Sequence, residues 1–312
     1  MARAAAPAKT GGTYLTFGHD AALRAVARAV QAEHPPHALL LVGPRGVGKT
    51  TLALDLAAGL LCLAPEPSAR PCRDCPACRK VMANGHADVH LLEPEGAGEQ
   101  IRLGQVQQLA NDLSLTAMEG RFRVAVISAA QRLNLDAQNA LLKTLEEPGP
   151  ATCLVLCADD AAPLLPTVLS RSARLRLAPL PIESLTRRLV DADLAPPAQA
   201  RALAIAAGGR PGLAMRLATE PEAVLARARI SRVLLELSAV DRRTRLAAAA
   251  ELISDGAAVD AALRGEVARS GARLQPAERR RAVQLVIDVW RDLGRDLAVA
   301  ARGDGAGIRD LD

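Results

Sequence analysis

The segment LLLVGPRGVGKTTLA, residues 39–53, decides the fold of this chain. It joins a short apolar strand, a glycine-rich turn and a run of residues that favours helix. Gly43, Gly48, Lys49 and Thr50 have the spacing of a complete phosphate-binding loop, G-x4-G-K-T. The glycines let backbone N–H groups point at phosphate oxygens, and the following helix adds its positive N-terminal end. Lys49 would reach the β- and γ-phosphates, and the Thr50 hydroxyl would hold Mg²⁺. The segment therefore predicts a pocket for ATP or ADP. Its predicted contact residues are Gly43, Arg45, Gly46, Gly48, Lys49, Thr50 and Thr51.

The composition is that of a globular protein with a small excess of positive charge. Of the 312 residues, 50% are hydrophobic and 23% are charged, and the net charge is +5. No apolar run approaches the roughly 20 residues of a membrane-spanning helix. The first dozen residues also lack the apolar core of a secretory signal, so we expect a cytoplasmic protein with no membrane partner. Aromatic residues are 1% of the chain, which argues against base stacking on aromatic platforms.

Four cysteines with metal-ligand spacing follow the predicted helix. They are Cys62, Cys72, Cys75 and Cys78. Four thiolates at this spacing can close a tetrahedron around Zn²⁺, and in a cytosolic chain the spacing favours a metal over disulfides. An iron–sulfur site and four unconnected thiols are the alternatives. Because protein ligands fill all four positions, we expect a structural zinc that staples a surface loop. His86 and His90 are further candidate ligands, but their positions fit the next strand and its approach better.

Strands and helices alternate as far as Pro179. Strands are predicted at residues 87–92, 122–127, 151–158 and 174–177, and helices at 19–33, 101–115 and 136–146. After a phosphate-binding loop, this alternation predicts an α/β fold with an open, largely parallel sheet and helices on both faces. Cys153 and Cys157 lie in an apolar strand and are assigned to the core.

Helical patterns alone follow Pro181. A small helical group is predicted at residues 182–191, 197–207 and 212–219, and a longer helical region begins at Pro221. We expect breaks in this region near Asp255–Gly256 and Gln275–Pro276, and a last helix over 276–301. The apolar face of that helix is assigned to the core. Its members are Val283, Val286, Ile287, Trp290 and Leu293. Residues 1–13 and 302–312 are expected to be loose ends.

The second motif of a hydrolysing nucleotide enzyme is missing. The strand that follows Arg121 should end in an Asp that helps to hold Mg²⁺, and in many such enzymes in a Glu that activates water. Ser128 and Ala129 occupy these positions, whereas Glu146 and Glu147 end a helix and are expected to brace the domain. Loss of one positioned general base removes a factor of about 10² to 10⁴ in rate. We therefore expect a chain that binds ATP or ADP and hydrolyses it very slowly alone.

These features together resemble a known family. The phosphate-binding loop, the cysteine insertion, NALLKTLEEP at 139–148 and LSRS at 169–172 are similar to the bacterial clamp-loader subunits of the AAA+ superfamily. The similarity is greatest to the delta-prime type and covers nearly the whole chain. It implies a P-loop AAA+ domain over 1–180 with a zinc insertion at 62–78, a small helical lid over 181–220 and an all-α collar over 221–312.

The resemblance also implies a function in an assembly. Such a subunit is a largely non-hydrolysing stator of the DNA polymerase III clamp loader. Its partners are gamma/tau and delta subunits in a five-membered ring, which loads the sliding clamp onto primed DNA. The resemblance places zinc on the four cysteines and makes Arg171 an arginine finger that acts in trans on the γ-phosphate at the neighbouring subunit.

The chain departs from the family pattern at three places. Ser172 replaces the usual Cys after Arg171, Asp159 stands near the first sensor position in place of a small hydroxyl residue, and Arg210 lies out of register for the second sensor. Two other functions stay open. One is an active AAA+ ATPase, either the motor subunit of the loader or a branch-migration helicase. The other is a zinc-dependent DNA-binding module.

Overall fold

The computed structural model describes residues 12–95, 100–149, 151–237, 241–264 and 274–302. These residues form two compact units, the first ending at Ala178 and the second beginning at Pro179. Most of the two loose ends predicted from the sequence, residues 1–11 and 303–312, lies outside the described ranges. None of the described helices combines the length and the apolar character needed to cross a bilayer.

The first unit is built on a five-stranded sheet in the order β2-β3-β4-β1-β5, in which every pair of neighbours is parallel. The strands are β1 (Ala38–Val42), β2 (Val89–Leu92), β3 (Arg123–Ile127), β4 (Thr152–Ala158) and β5 (Ala173–Arg176). Apart from Arg123 and Thr152 at the first positions of β3 and β4, the three central strands are continuous apolar runs, as expected for strands covered on both faces. In the register of the sheet, Val42 lies beside Ala158 on one side and Arg176 on the other. The strand ends that carry the candidate site therefore meet at one edge.

Helices cover both faces of this sheet, so the predicted α/β architecture is confirmed. They are α1 (Asp20–Gln31), α2 (Lys49–Leu61), α3 (Pro76–Met82), α4 (Leu103–Ser114), α5 (Leu135–Glu146) and α6 (Pro166–Ser170). Side chains alternate along β1: Leu39 and Leu41 belong to the core cluster formed with α1 and α2, and Leu40 to the cluster formed with α4 and α5. The buried positions of Cys153 and Cys157 agree with their assignment to the core.

The described part of the second unit is entirely helical. Its helices are α7 (Ile182–Asp191), α8 (Pro197–Ala206), α9 (Pro211–Thr219), α10 (Pro221–Glu236), α11 (Arg242–Arg264) and α12 (Pro276–Ala300). The break predicted near Asp255–Gly256 is wrong, because α11 continues through both residues. Gly256 serves helix packing instead: a Cβ there would lie 2.7 Å from the carbonyl oxygen of Ala282 on α12.

The buried face of α12 differs from the predicted one. Val283, Ile287 and Trp290 are 37%, 47% and 51% exposed, whereas Leu293 is buried as predicted. The face that packs on α10 and α11 is formed by Ala282, Leu285, Val289, Leu293 and Asp296. The apolar residues of α12 therefore occupy two neighbouring faces, of which the described residues cover one.

Candidate nucleotide and metal sites

The phosphate-binding loop connects the end of β1 to the start of α2. Gly46 and Gly48 have φ angles of +81° and +106°, a region that side chains with a Cβ rarely adopt. At Gly43 a Cβ would lie 2.2 Å from the carbonyl oxygen of Leu177, so only glycine fits beside the neighbouring chain. The helix begins at Lys49 with no side-chain cap and no acidic residue in its first turn. Its first N–H groups and positive dipole end are therefore suited to an anion.

The sequence-predicted contact residues are all in this loop and the first turn of α2. Lys49 is 7% exposed, Thr50 and Thr51 are half-buried, and Arg45 is exposed. The Lys49 ammonium donates to the carbonyl oxygens of Gly43 at 2.6 Å and Pro44 at 3.1 Å. It also donates to Oδ1 of Asp159 at 2.7 Å. A buried positive charge therefore lies directly under the loop, and the protein itself supplies its partners.

Asp159 follows the last residue of β4, and the side chain of Gln131 holds it in place. Gln131 donates from Nε2 to Oδ2 of Asp159 at 3.0 Å and accepts the backbone N–H of Asp159 at 3.3 Å. Since β4 lies between β1 and β3 in the sheet, the end of β4 is closer to the loop than the end of β3. Sequence reasoning noted the unusual acid at this position but missed its pairing with Lys49.

The end of β3 carries no acid. The Ser128 hydroxyl donates to the carbonyl oxygen of Leu92 at 3.4 Å, and Ala129 precedes a short 3₁₀ turn at Ala130–Arg132. Neither side chain offers a carboxylate for Mg²⁺ or a base for water. Ser128 and Ala129 therefore cannot perform the two functions that hydrolysis requires at the end of this strand.

Arg171 follows the end of α6 on the surface of the first unit. Its side chain is 37% exposed, and its guanidinium forms an ion pair of 2.8 Å with Glu146 at the end of α5. It also donates to the carbonyl oxygen of Thr167 at 3.3 Å. Ser172 is buried and its hydroxyl donates to the carbonyl oxygen of Val168 at 2.9 Å, so the substituted residue anchors the turn. Arg171 itself remains accessible.

Arg210, the unassigned candidate for the second sensor, lies in the second unit. Its guanidinium donates to Asp292 at 2.9 Å and to the carbonyl oxygen of Ala207 at 2.7 Å. Both partners belong to that unit, so this arginine ties α9 to α12.

The four cysteines of the insertion converge in space. The sulfur atoms of Cys62, Cys72, Cys75 and Cys78 all lie within 4.8 Å of one another. The distance between the sulfurs of Cys62 and Cys75 is 4.0 Å, and a tetrahedral site with Zn–S bonds of about 2.3 Å has sulfur–sulfur edges of about 3.8 Å. His86 and His90 are not members of the cluster; His90 is in β2, and the Nδ1 of His86 accepts the N–H of Asp88. The donor set is therefore four thiols.

Backbone donors favour the thiolate form at one of these cysteines. Burial raises the pKa of Cys75, but N–H groups of Leu63 and Cys78 that point at its sulfur, together with the thiols of Cys78 and Cys72, outweigh burial and lower the pKa to about 7. Burial raises the pKa of Cys78. Burial alone raises the pKa of Cys153 to about 12, so that core thiol stays protonated at neutral pH. Only the clustered cysteines therefore combine mutual proximity with thiolate-stabilising donors, which is the chemistry of a metal site.

The cysteine insertion is tied to the helix of the phosphate-binding loop. Arg73, between Cys72 and Cys75, forms an ion pair with Asp55, a fully buried carboxylate on α2. Asp55 also accepts the backbone N–H groups of Leu15 and Thr16 at 3.1 and 2.8 Å. Sequence reasoning missed this link, since an Asp on an otherwise apolar helix face was the only available signal.

Comparison with known proteins places these features in a protein family. The family described as "DNA polymerase III, delta subunit" matches residues 18–181, which is more than half of the chain. The chain is 42% identical over 193 residues to DNA polymerase III subunit delta′ of Pseudomonas aeruginosa, covering 60% of this chain and 57% of that protein. It is 35% identical over 168 residues to subunit delta′ of Bacillus subtilis, covering 54% of this chain and 50% of that protein.

A subunit with a different name also matches part of this chain. DNA polymerase III subunit tau of Escherichia coli is 34% identical over 172 residues, covering 55% of this chain and 26% of that protein. The matched part of the chain spans about half the length of the two delta′ relatives. The family match over residues 18–181 includes the loop, the cysteine cluster and Arg171.

Proposed function

Because this chain belongs to the family described as DNA polymerase III, delta subunit, we propose that it is a delta-prime-type subunit of a replicative clamp loader. In this function it is a stator, which binds its neighbours and does not drive the cycle by its own hydrolysis. The proposed partners are gamma/tau and delta subunits in a five-membered ring, and through the ring the sliding clamp and primed DNA. The proposed location is the cytoplasm.

One observation carries the stator proposal: an intact phosphate-binding loop lies beside a strand end without acids. Gly46, Gly48 and buried Lys49 have the conformation and charge of a phosphate site. Ser128 and Ala129 provide neither a metal carboxylate nor a base. Binding and hydrolysis depend on these two separate sets of residues, so the first can persist without the second.

The residues of the loop fit a nucleotide diphosphate or triphosphate with Mg²⁺. The bound nucleotide would supply the negative phosphate oxygens for which the loop provides donors. The N–H groups at the start of α2 would donate to those oxygens, Lys49 would neutralise their charge and Thr50 would orient the cation through its hydroxyl. These roles require binding and positioning only.

Arg171 is the proposed contribution to chemistry at another subunit. An arginine finger places its guanidinium beside the phosphoryl group that is being transferred and stabilises the charge that develops there. Arg171 suits this function because its guanidinium is accessible and lies directly after the end of a short helix. Its ion pair with Glu146 would be exchanged for the γ-phosphate at the neighbouring site.

The four-cysteine cluster is the proposed structural zinc site. All four coordination positions would be filled by protein sulfur, so the site leaves no position for a substrate. Zinc would hold the loop 62–78 against α2, where Arg73 already contacts Asp55.

The proposed domains follow the helical content of the chain. Residues 1–180 would be the AAA+ domain, 181–220 the lid and 221–312 the collar through which subunits assemble. The exposed apolar residues of α12, Val283, Ile287 and Trp290, support an assembly surface in the collar.

A reconstituted clamp loader tests the proposal. We expect Arg171→Ala in this subunit to lower ATP turnover at the adjoining site by about 10³-fold or more, while size-exclusion chromatography shows normal assembly. Arg174→Ala, which removes an exposed arginine from β5, is the matched control and should leave turnover unchanged. Equal turnover of the complex with either variant would show that Arg171 is not the finger.

Turnover by the purified chain separates the stator from its main alternative. The intact loop and the similarity to a tau subunit favour an active ATPase as the second candidate. We expect the purified chain to hydrolyse ATP at least about 10²-fold more slowly than a motor subunit measured in parallel. A comparable rate would replace the stator with the motor assignment.

A further inference from the structure

The ammonium of Lys49 has a full set of partners before any ligand binds. Its three N–H bonds point at the carbonyl oxygens of Gly43 and Pro44 and at Oδ1 of Asp159. An ammonium has three donors, so a phosphate oxygen must take the place of one existing acceptor. Two acceptors belong to the backbone of the loop itself. The third, Asp159, is the one that a side-chain movement can release.

The environment of Asp159 allows such a movement. Its side chain is 42% exposed, whereas the Lys49 side chain is 7% exposed. Gln131 donates to Oδ2 of Asp159 at 3.0 Å, whereas Lys49 donates to Oδ1. The carboxylate is therefore fixed at the mouth of the loop, in contact with both solvent and the buried charge.

We propose that Asp159 is a built-in counter-ion that a nucleotide phosphate displaces from Lys49, and that it makes nucleotide binding by this chain strongly dependent on a divalent cation. This inference rests on the proposed nucleotide pocket. Without a cation, the carboxylate of Asp159 competes with the phosphate for Lys49, and the two negative groups repel each other. With Mg²⁺, the same carboxylate becomes a favourable neighbour, because Mg²⁺ binds through one or two carboxylates together with phosphate oxygens.

The position of Asp159 in the sheet strengthens this inference. The end of β3 has Ser128 and Ala129 where a metal-holding acid is expected. Within the described ranges, no carboxylate other than Asp159 contacts the Lys49 ammonium. The acid at the end of β4 is thus placed to provide the cation ligand that β3 lacks, and it directly follows the strand that pairs with the loop strand β1.

The test measures ADP binding by the full chain in EDTA and in Mg²⁺, by isothermal titration calorimetry. Asp159→Asn keeps the shape of the side chain but removes its charge. We expect it to tighten ADP binding in EDTA by at least about tenfold, because phosphate then displaces a neutral amide from Lys49 instead of a carboxylate. Tenfold is the lower end of the contribution of one charge-assisted hydrogen bond. The ratio of the Kd in EDTA to the Kd in Mg²⁺ should fall by the same factor or more. Thr50 remains in the variant and accounts for the dependence of ADP binding on Mg²⁺ that is left.

Asp160→Asn is the matched control. It removes the same charge one residue away, where the carboxylate accepts the N–H of Ala162 at 3.0 Å. Its Kd ratio should equal that of the unaltered chain. Asp159→Ser is a second variant, with the small hydroxyl side chain typical of the family. It should give the same Kd ratio as Asp159→Asn, which would show that the result does not come from new contacts of the introduced amide.

Two results would overturn the inference: equal Kd ratios for Asp159→Asn and the unaltered chain, or the same change in Asp160→Asn. Absence of ADP binding in both buffers would also overturn it, but would leave the stator assignment intact. That assignment is decided separately by the reconstituted complex with Arg171→Ala. The two failures are therefore distinguishable.

Discussion

At the scale of single residues, Asp88 shows how a buried charge fixes the chain before β3. The carboxylate is fully buried and accepts backbone N–H groups from Met118, Glu119 and Gly120 at 2.6, 2.8 and 2.7 Å. Burial raises the pKa of Asp88, but these hydrogen bonds and the nearby Arg123 guanidinium outweigh it and leave the pKa below its usual value. The charged form is thus the one that the folded protein stabilises.

We expect Asp88→Asn to destabilise the protein by about 2–3 kcal/mol at pH 7, because an amide replaces the charged acceptor of several hydrogen bonds. The folded protein binds a proton at Asp88 less readily than the unfolded chain does. The contribution of Asp88 is therefore complete above the unfolded-state pKa of about 4 and is lost as pH falls through the lower folded-state pKa. Urea unfolding at pH 7, 4 and 3 should show a difference between variant and parent that shrinks below pH 4. A difference independent of pH would contradict the charge-based explanation.

The sequence predicts residues with local functions better than it predicts their partners. Gly48 and Lys49 follow from the motif alone, because the conformation and the charge belong to one short segment. The pair of Lys49 with Asp159 joins residues 110 positions apart and depends on β4 lying beside β1. The pair of Arg73 with Asp55 depends on how the cysteine insertion folds back onto α2. Spacing along the chain carries neither piece of information.

At the scale of elements, the cysteine insertion is a loop with little secondary structure, which a cross-link would stabilise. Residues 62–78 contain one turn of 3₁₀ helix at Pro67–Ala69 and the first residues of α3, and the rest is irregular. The Sγ of Cys78 lies 3.7 Å from the carbonyl oxygen of Ala58, which places the cluster against the C-terminal half of α2. A metal here would connect the loop to the same helix that begins at the phosphate-binding loop.

We expect the purified chain to contain about one zinc per molecule, and Cys72→Ser to lose most of it, because three sulfur ligands bind more weakly than four. The melting temperature should fall in the variant, and a chelator should lower it in the parent. Mass spectrometry of the metal content and a thermal melt provide the measurements. Cys153→Ala is the control, since that thiol lies in the core away from the cluster and should retain full zinc. Iron in place of zinc would support the iron–sulfur alternative.

Long periodic elements follow from the sequence, and short ones do not. Helix α7 begins and ends at the predicted residues 182 and 191, because Pro181 precedes a strongly amphipathic run. Helices α3 and α6 have seven and five residues and were missed, since too few turns exist for a helical period to appear. Gly256 was read as a helix end, yet its missing Cβ allows α11 to approach α12. A glycine in a helix interior and one at a helix end look alike in sequence.

At the scale of the whole molecule, α12 presents an apolar stripe that none of the residues described by the structure covers. Val283, Ile287, Trp290 and Leu297 recur at helical spacing and are between 37% and 54% exposed. Periodicity assigned three of these residues to the core, because it detects an apolar face and cannot tell which molecule covers it. The proposed assembly in a ring supplies a reason for such a face, since apolar residues on a partner would bury it.

This stripe yields a prediction for assembly. Ile287→Glu should reduce incorporation of the chain into the reconstituted clamp loader by at least about tenfold, because a buried unpaired charge costs several kcal/mol. The isolated variant should keep its melting temperature, as Ile287 is already half-exposed. Gln284→Glu is the matched control: it introduces the same charge at an exposed position of α12 outside the stripe and should assemble normally.

Trp290 provides a direct readout of the same contact, because it is the only tryptophan of the chain. Incorporation of 5-fluorotryptophan into this chain alone gives one ¹⁹F resonance, which reports on a side chain that is 51% exposed before assembly. We expect the resonance to shift and broaden when the partner subunits are added. It should also lose its solvent-isotope shift, because water no longer contacts the indole ring of Trp290. Ile287→Glu should prevent these changes, whereas Gln284→Glu should preserve them. A complex that forms with Trp290 still in its solvent-exposed environment would place the assembly surface elsewhere, and the exposed apolar stripe would then need another partner.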